Sequence, residues 1–118
     1  MMPVNALDSN KISQLRSKYP DRIPILVKKA HGTKEPLPDM DRHKFLVPHE
    51  YTMNSLLYVV RKRLPQLQPH QALFLFVNDH TIVPAHMNLL DIYTQYRSED
   101  GLLRFTYALE NTFGSAAT

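Results

Sequence analysis

The sequence predicts a single α+β domain in which one mixed β-sheet packs against a long amphipathic helix. Three observations lead to this class: the chain length, a hydrophobic spacing that changes between strand-like and helix-like periods, and prolines that end the first two helical segments. At 118 residues the chain has the size of one domain. A domain of this size buries roughly two-thirds of its unfolded surface, which is enough for one core.

The first third of the chain predicts a helix followed by two strands. Candidate N-cap residues occupy 8–10, apolar residues follow at helical spacing, and Pro20 ends the helix. Alternating side chains predict strands at 22–30 and 44–47, which are close enough in the chain to form a hairpin. Pro24, inside the first strand, suits a sheet edge or an irregular strand start.

The remaining segments complete one sheet. A helix begins after the N-cap candidate Thr52 and ends at Pro65, with an apolar stripe and a basic last turn. The continuous apolar run 73–77 predicts a central, buried strand. A short helix at 87–96 and an alternating strand at 102–109 follow. This order is that of a ubiquitin-like β-grasp: a four-stranded mixed sheet with an additional N-terminal helix.

Composition excludes several function classes. The chain has no cysteine, so disulfides, thiolate metal sites and a cysteine nucleophile are absent. The six histidines lie singly, which favours surface positions over a metal site. We find neither a glycine-rich phosphate loop nor a serine nucleophile motif, so we expect no enzyme and no cofactor. No signal peptide or membrane span is visible, so membrane attachment would have to be added.

Positive charge is concentrated in the N-terminal half. Residues 1–64 contain 12 Lys/Arg and 6 Asp/Glu, whereas residues 65–118 contain 2 and 5. This asymmetry suggests acidic peptides, anionic lipid or nucleic acid as partners, and its simplest alternative is a solvated basic face. A nucleic-acid or lipid module would use Lys11, Arg16, Lys18, Lys28 and Lys29. Few aromatic residues accompany these bases, which disfavours nucleic acid.

The C-terminal tail contains a candidate processing site at Gly114. Four small residues follow this glycine, and such tails are accessible to proteases. Without a Cβ, glycine can pass through a narrow enzyme cleft, and cleavage after it would leave a carboxylate suited to transfer. Taken alone, a glycine in a terminal tail favours the simpler interpretation, in which it only ends the folded domain. The predicted organisation is a short flexible arm at 1–10, a domain at 11–114 and a removable tail at 115–118.

Five blocks in order resemble the autophagy ubiquitin-like modifiers, the family of the GABA-A receptor-associated protein and microtubule-associated protein light chain 3. The blocks are 18–27, 44–48, 60–64, 73–78 and 110–114. The resemblance runs from about Leu15 to Gly114 and places Gly114 at the conjugated position.

The resemblance implies a function. A dedicated cysteine protease cuts after Gly114, and an activating and a conjugating enzyme transfer the glycine to phosphatidylethanolamine. Two acyl chains then anchor the cytoplasmic protein stably on the autophagosome membrane, where it recruits receptors and cargo. The alternative is a non-conjugated adaptor that binds the same peptides.

The resemblance also implies a binding site for aromatic-x-x-aliphatic peptides, which add a strand to the edge of the second strand. The first pocket would be lined by Leu15, Pro24, Leu26, Lys44, Leu46 and Leu102. The second would be lined by Phe45, Val47, Pro48, Tyr51, Leu56 and Val59, with Arg63 at its rim. Spacing alone assigns Phe45, Val47, Leu56 and Val59 to the core and Leu26, Leu46 and Leu102 to scattered surface positions. Lys44 and Arg22 would attract acidic flanks.

Three departures from the family pattern modify these expectations. The N-terminal arm is short, so the family's first helix is reduced or missing. Lys11 stands where relatives commonly carry an acid beside the first pocket. An acid can accept a hydrogen bond from the indole N–H of a peptide tryptophan, whereas lysine has no acceptor. We therefore expect the protein to show a weaker preference for tryptophan over phenylalanine in the peptide and a stronger need for acidic residues flanking the motif. Leu102 replaces a usual aromatic residue, which should loosen the first pocket.

Overall fold

The computed structural model describes residues 2–3, 9–30, 38–40 and 42–109, with only the backbone for 2–3 and 9–10. The predicted processing site Gly114 and the tail 115–118 lie outside the described residues. The described elements are β1 (Met2–Pro3), α1 (Ser9–Lys18), β2 (Arg22–Lys29), β3 (Lys44–Pro48), α2 (Met53–Lys62), β4 (Leu73–Val77), α3 (Leu89–Tyr96) and β5 (Leu103–Leu109).

Local sequence signals set the helix ends. The N-cap predicted at Thr52 is confirmed, since its hydroxyl accepts a hydrogen bond from the Ser55 N–H at 3.1 Å. Asn88 caps α3 in the same way, accepting from the Asp91 N–H at 2.9 Å. Helix α1 begins at Ser9, inside the segment predicted as an arm, and ends before Pro20.

The strands form one mixed sheet in the order β1-β3-β2-β5-β4. The predicted β2–β3 hairpin is confirmed as an antiparallel pair. Strand β5 pairs parallel to β2 and antiparallel to β4. The predicted four-stranded β-grasp with its N-terminal helix is therefore confirmed. The structure adds β1, a two-residue strand on the outer edge of β3 that the sequence did not predict.

The prediction that 73–77 forms a central strand is wrong. Within the described residues, strand β4 pairs with β5 alone and lies at the end of the sheet. Its Leu73, Leu75 and Val77 are buried, whereas Phe74 on the other face is 38% exposed. A continuous apolar run is typical of strands covered on both faces, but here the last strand, β5, lies between β2 and β4 and leaves β4 at the end of the sheet.

Pro24 lies in a central strand, where a proline normally costs a ladder hydrogen bond. Two features of the register remove this cost. Toward β3, Pro24 stands opposite Leu46, a pair that exchanges no backbone hydrogen bonds because the bonded pairs alternate from Val27–His43. Toward β5, pairing begins only at Ile25. The edge interpretation of Pro24 is therefore wrong, and the strand is regular at this residue, since its pairing with β3 already begins at Arg22.

The two faces of the sheet have different coverings. The main core lies between the sheet and helices α2 and α3, and includes Phe45, Phe105 and Ile92. Each large apolar side chain buried there contributes about 1.5–3 kcal/mol. Residues that alternate with these core positions belong to the opposite face, and α1 packs against β2 outside the main core.

Arg16 holds α1 in place. Its Nη1 donates to the carbonyl oxygen of Arg22 at 2.6 Å and to that of Pro20 at 3.1 Å. Its guanidinium also lies 5.2 Å from the centre of the Tyr93 ring on α3. Arg16 is therefore engaged within the fold, which removes one of the bases that a nucleic-acid module would use.

Gly101 forms the turn before β5 and provides the second attachment of α1. Its φ of +85° is a conformation that side chains rarely adopt, and an added Cβ would lie 3.0 Å from Ile12 Cγ2 of α1. The Tyr93 hydroxyl donates to the Gly101 carbonyl oxygen at 2.7 Å. The turn thus joins α1, α3 and the start of β5.

We expect Gly101→Ala to lower the free energy of unfolding by about 1–2 kcal/mol, because the left-handed backbone is strained by a Cβ that also meets Ile12. Chemical denaturation followed by circular dichroism measures the change. Gln95→Ala, at an exposed position of α3, is the control and should stay within about 0.5 kcal/mol of wild type. Equal stability of the two variants would contradict the role assigned to this turn.

Candidate functional site

The outer edge of β3 presents backbone groups for an added strand. The Val27 N–H donates to the His43 carbonyl at 2.8 Å, which fixes the alternation along the β2–β3 pair. Residues 43, 45 and 47 consequently bond to β2. The N–H and C=O groups of Lys44 and Leu46 point to the opposite edge, where a peptide of strand conformation can pair with them.

The sheet register brings most residues of the predicted first pocket together. Pro24 stands opposite Leu46, and Leu26 stands opposite Lys44. Leu102 immediately precedes Leu103, the partner of Ile25, so it lies beside Pro24. The sixth residue of this set, Leu15, lies half-buried on α1, which packs against β2.

The first pocket is closed in this structure. Leu46 is 0% exposed and Leu102 is 3% exposed, so neither is a scattered surface residue. Pro24 is also buried, whereas Leu26 and Lys44 are half-buried. An aromatic side chain therefore enters only if the groups that cover Leu46 and Leu102 move aside. Lys11 is exposed on α1.

The predicted second pocket has a buried floor and an accessible wall. Phe45, Val47 and Leu56 are fully buried members of the main core, as their spacing alone indicated. The half-buried residues of the set are Pro48, Tyr51, Val59 and Arg63. The Arg63 guanidinium lies 4.9 Å from the centre of the Phe45 ring, so it covers this part of the core from outside.

A groove of about 780 Å³ continues from the second pocket along the exposed side of α2. It is lined by Tyr51, Asn54, Ser55, Leu57, Tyr58, Val59, Arg61, Ala72 and Leu73. The sequence assigned Leu73 to a central strand, so the opening beside it was missed. Tyr58, which is 61% exposed, was also missed, although a tyrosine beside an apolar helical stripe is a signal for such a surface.

The basic residues in the last turn of α2, Arg61 and Lys62, contact other residues of the fold. Their charge is also favourable at the negative end of the helix dipole. Arg61 donates to the carbonyl oxygens of Gln71 at 2.7 Å and Gln68 at 2.8 Å, which ties the loop before β4 to the helix. Lys62 lies 4.6 Å from the centre of the Tyr58 ring. These contacts fix one wall of the groove.

The two bases predicted to attract acidic flanks lie at opposite ends of the site. Lys44 stands opposite Leu26, whereas Arg22 stands opposite Pro48. These positions are four residue steps apart along β3, which is about 13 Å along a strand. One acidic segment therefore meets Lys44 or Arg22, but not both.

Two further bases lie near the first pocket that sequence reasoning did not assign to it. Arg104 stands opposite Leu26 across the β2–β5 pair, and a small cavity of about 310 Å³ beside them is also lined by Lys28. Arg104 donates to Asp100 at 2.8 Å, while its buried Nη1 has no hydrogen-bond partner among the described residues. The alternation of core and non-core residues in the last strand places Arg104 on the same face as Leu102. This pattern is the sequence signal from which Arg104 could have been assigned to the site.

A polar anchor lies beside the start of β3. The Tyr107 hydroxyl donates to the Pro38 carbonyl at 2.7 Å, and burial raises the pKa of Tyr107, so the hydroxyl stays a donor. His43 forms a 2.9 Å hydrogen bond with Asp39, and this bond holds the pKa of the Asp39 carboxyl below its ordinary value of 3.8. These contacts hold the described part of the preceding loop against β5.

Metal and membrane-spanning features do not occur in the part of the chain that the structure describes. The described His, Asp and Glu residues form no cluster of three that could hold a metal ion. None of the described helices has the length and apolar character needed to cross a bilayer.

Comparison with known proteins gives a consistent family. Residues 7–114 match the family described as "Autophagy protein Atg8 ubiquitin like". The chain is 47% identical over 103 residues to autophagy-related protein 8a of Arabidopsis thaliana, a match that covers 87% of this chain and 81% of that protein. It is 44% identical over 102 residues to autophagy-related protein 8 of Dictyostelium discoideum, covering 86% of this chain and 81% of that one.

A solved structure agrees with the sequence matches. The crystal structure of Trypanosoma brucei ATG8 superposes with a TM-score of 0.78 at 39% identity, covering 90% of this chain and 88% of that one. The similarity therefore extends over both the sheet and the helices that position the candidate site. The chain belongs to the Atg8 family of autophagy ubiquitin-like proteins.

Proposed function

We propose that this protein is a conjugated modifier of autophagy, processed after Gly114 and linked through that glycine to phosphatidylethanolamine. The observation that carries the proposal is the family match, which extends to residue 114. The conjugated lipid is the only non-protein group the function needs, and it provides the anchor that none of the described helices supplies. The proposed location is the cytoplasm before conjugation and the autophagosome membrane after it.

The proposed partners fall into two groups. A processing cysteine protease, an activating enzyme and a conjugating enzyme act on the tail. Receptors and adaptors bind the folded domain through aromatic-x-x-aliphatic motifs and thereby bring cargo to the membrane. We propose no catalytic activity for the chain itself, because its candidate site offers backbone groups and apolar pockets for binding.

The geometry of β3 suits this mode of peptide binding. The peptide's main chain would bond to Lys44 and Leu46, its aromatic residue would enter beside Leu46, and its aliphatic residue would enter beside Val59. Because the aromatic residue precedes the aliphatic one, the peptide would run parallel to β3, from Lys44 toward Pro48. The gain from two buried anchors is offset by the ordering of the peptide, so we expect micromolar affinity.

The intact mass of the chain recovered from cells with induced autophagy tests the conjugation. We expect the wild-type chain to lose residues 115–118 and to gain phosphatidylethanolamine on Gly114. Gly114→Ala should abolish conjugation because the added Cβ obstructs the narrow enzyme clefts. Ser115→Ala is the matched control and should be processed as wild type. A full-length, unmodified wild-type chain would refute conjugation and favour the non-conjugated adaptor.

The direction of the peptide gives a second prediction. An acidic flank before the aromatic residue would lie beyond Lys44, on the side of the sheet where Lys28 and Arg104 also lie. Lys44→Glu should therefore weaken an acidic-flanked peptide by roughly 3- to 10-fold at low salt. Arg22→Glu carries the same charge change at the other end of the site and is the control.

Isothermal titration calorimetry with an acidic-flanked and a neutral-flanked peptide measures both effects. The Lys44→Glu loss should shrink as salt rises and should be small for the neutral-flanked peptide. Equal losses in the two variants would contradict the parallel orientation. Equal affinity of the two peptides for the wild-type chain would contradict the need for acidic flanks inferred from Lys11.

A further inference from the structure

The outer edge of β3 is already occupied by the chain itself. Strand β1 pairs antiparallel with β3, with Met2 opposite Leu46 and Pro3 opposite Phe45. This is the edge toward which the N–H and C=O groups of Lys44 and Leu46 point. The chain's own N-terminal strand and a bound peptide strand therefore require the same backbone groups.

The register of β1 fits the chemistry of its two residues. In an antiparallel pair, directly opposed residues alternate between exchanging two hydrogen bonds and exchanging none. Since Leu46 points its backbone groups toward β1, the Met2–Leu46 pair is the bonded one. Pro3 has no N–H, and it falls opposite Phe45, where no donor is required. A shift by one residue would place the proline where the ladder needs a donor.

We propose that β1 acts as an internal competitor for the peptide-binding edge, so that a receptor peptide must displace Met2–Pro3 before it can pair with β3. This inference rests on the proposed function, in that it assigns a regulator to the same edge. It agrees with the complete burial of Leu46, the residue of the first pocket that stands opposite Met2. One bonded pair gives a weak hold, so β1 lowers the apparent affinity of the peptide and does not block the edge permanently.

A reversible crosslink tests the competition in the full-length chain. The protein has no cysteine, so a Met2→Cys/Leu46→Cys variant contains a single possible disulfide. Bonded antiparallel partners have Cα atoms about 5.5 Å apart, which is within the range that a disulfide spans. Oxidation locks β1 on β3 and reduction releases it. Comparing the oxidised with the reduced variant cancels the effect of losing Leu46, because both forms lack it. Wild type measured with and without reductant shows any effect of the reductant itself.

We expect the disulfide to form under mild oxidation, as a loss of about two mass units. The oxidised variant should bind an acidic-flanked Phe-x-x-Leu peptide at least 10-fold more weakly than the reduced variant. Equal affinity of the oxidised and reduced forms would overturn the proposal, and so would failure of the disulfide to form. If wild type itself fails to bind the peptide while the disulfide forms readily, the proposed peptide-binding function fails and the pairing of β1 stands.

Hydrogen exchange in the unmodified protein gives an independent measurement. The Met2 amide should be protected in the free chain, because it donates to the Leu46 carbonyl. Saturation with the same peptide should release it, so that its exchange becomes at least 10-fold faster. Peptide binding without any change in Met2 exchange would overturn the proposed competition. In that case β1 would stay paired with β3 while the peptide is bound.

Discussion

The register between β2 and β3 is the constraint on which the candidate site depends. It sends the backbone groups of residues 43, 45 and 47 inward to β2 and those of Lys44 and Leu46 outward. The same register buries Phe45 and Val47 in the main core and assigns Leu46 to the other face. A slip by one residue would exchange every one of these roles, which is why the apolar faces of β3 and its binding edge are set together.

Much of this architecture could be predicted from local patterns in the sequence. The caps, the terminating prolines and the periodicities fixed nearly all the elements, because each signal acts over a few residues. The position of β4 in the sheet could not be predicted. An apolar run indicates that both faces of a strand are covered, but it does not indicate which strands are its neighbours in the sheet. Strand β1 could not be predicted either, because two residues carry no periodicity.

For the candidate site, the residue types could be predicted better than their accessibility. Family resemblance proposed two pockets, and the sheet register brings most members of the first pocket together. The sequence did not indicate that Leu46 and Leu102 are buried, because burial on that face of the sheet depends on tertiary packing, which local spacing does not reveal. Nor could charge alone distinguish the bases: Arg16 and Arg61 bind main-chain carbonyls, whereas Lys44 lies at the edge of β3. Two of the bases in the basic half of the chain are thus engaged within the fold.

The position of α1 links the stability of the fold to the accessibility of the first pocket. Helix α1 is attached by Arg16 to the start of β2 and by Ile12 to the turn at Gly101, which directly precedes Leu102. In the proposed binding mode, an aromatic residue that enters beside Leu102 would disturb these attachments. We therefore expect the selectivity of the proposed first pocket to depend on how firmly α1 is held as well as on the residues that line it. The predicted second pocket lies on the other side of the sheet, where α2 is anchored in the main core and where Tyr51 and Val59 already line an open groove.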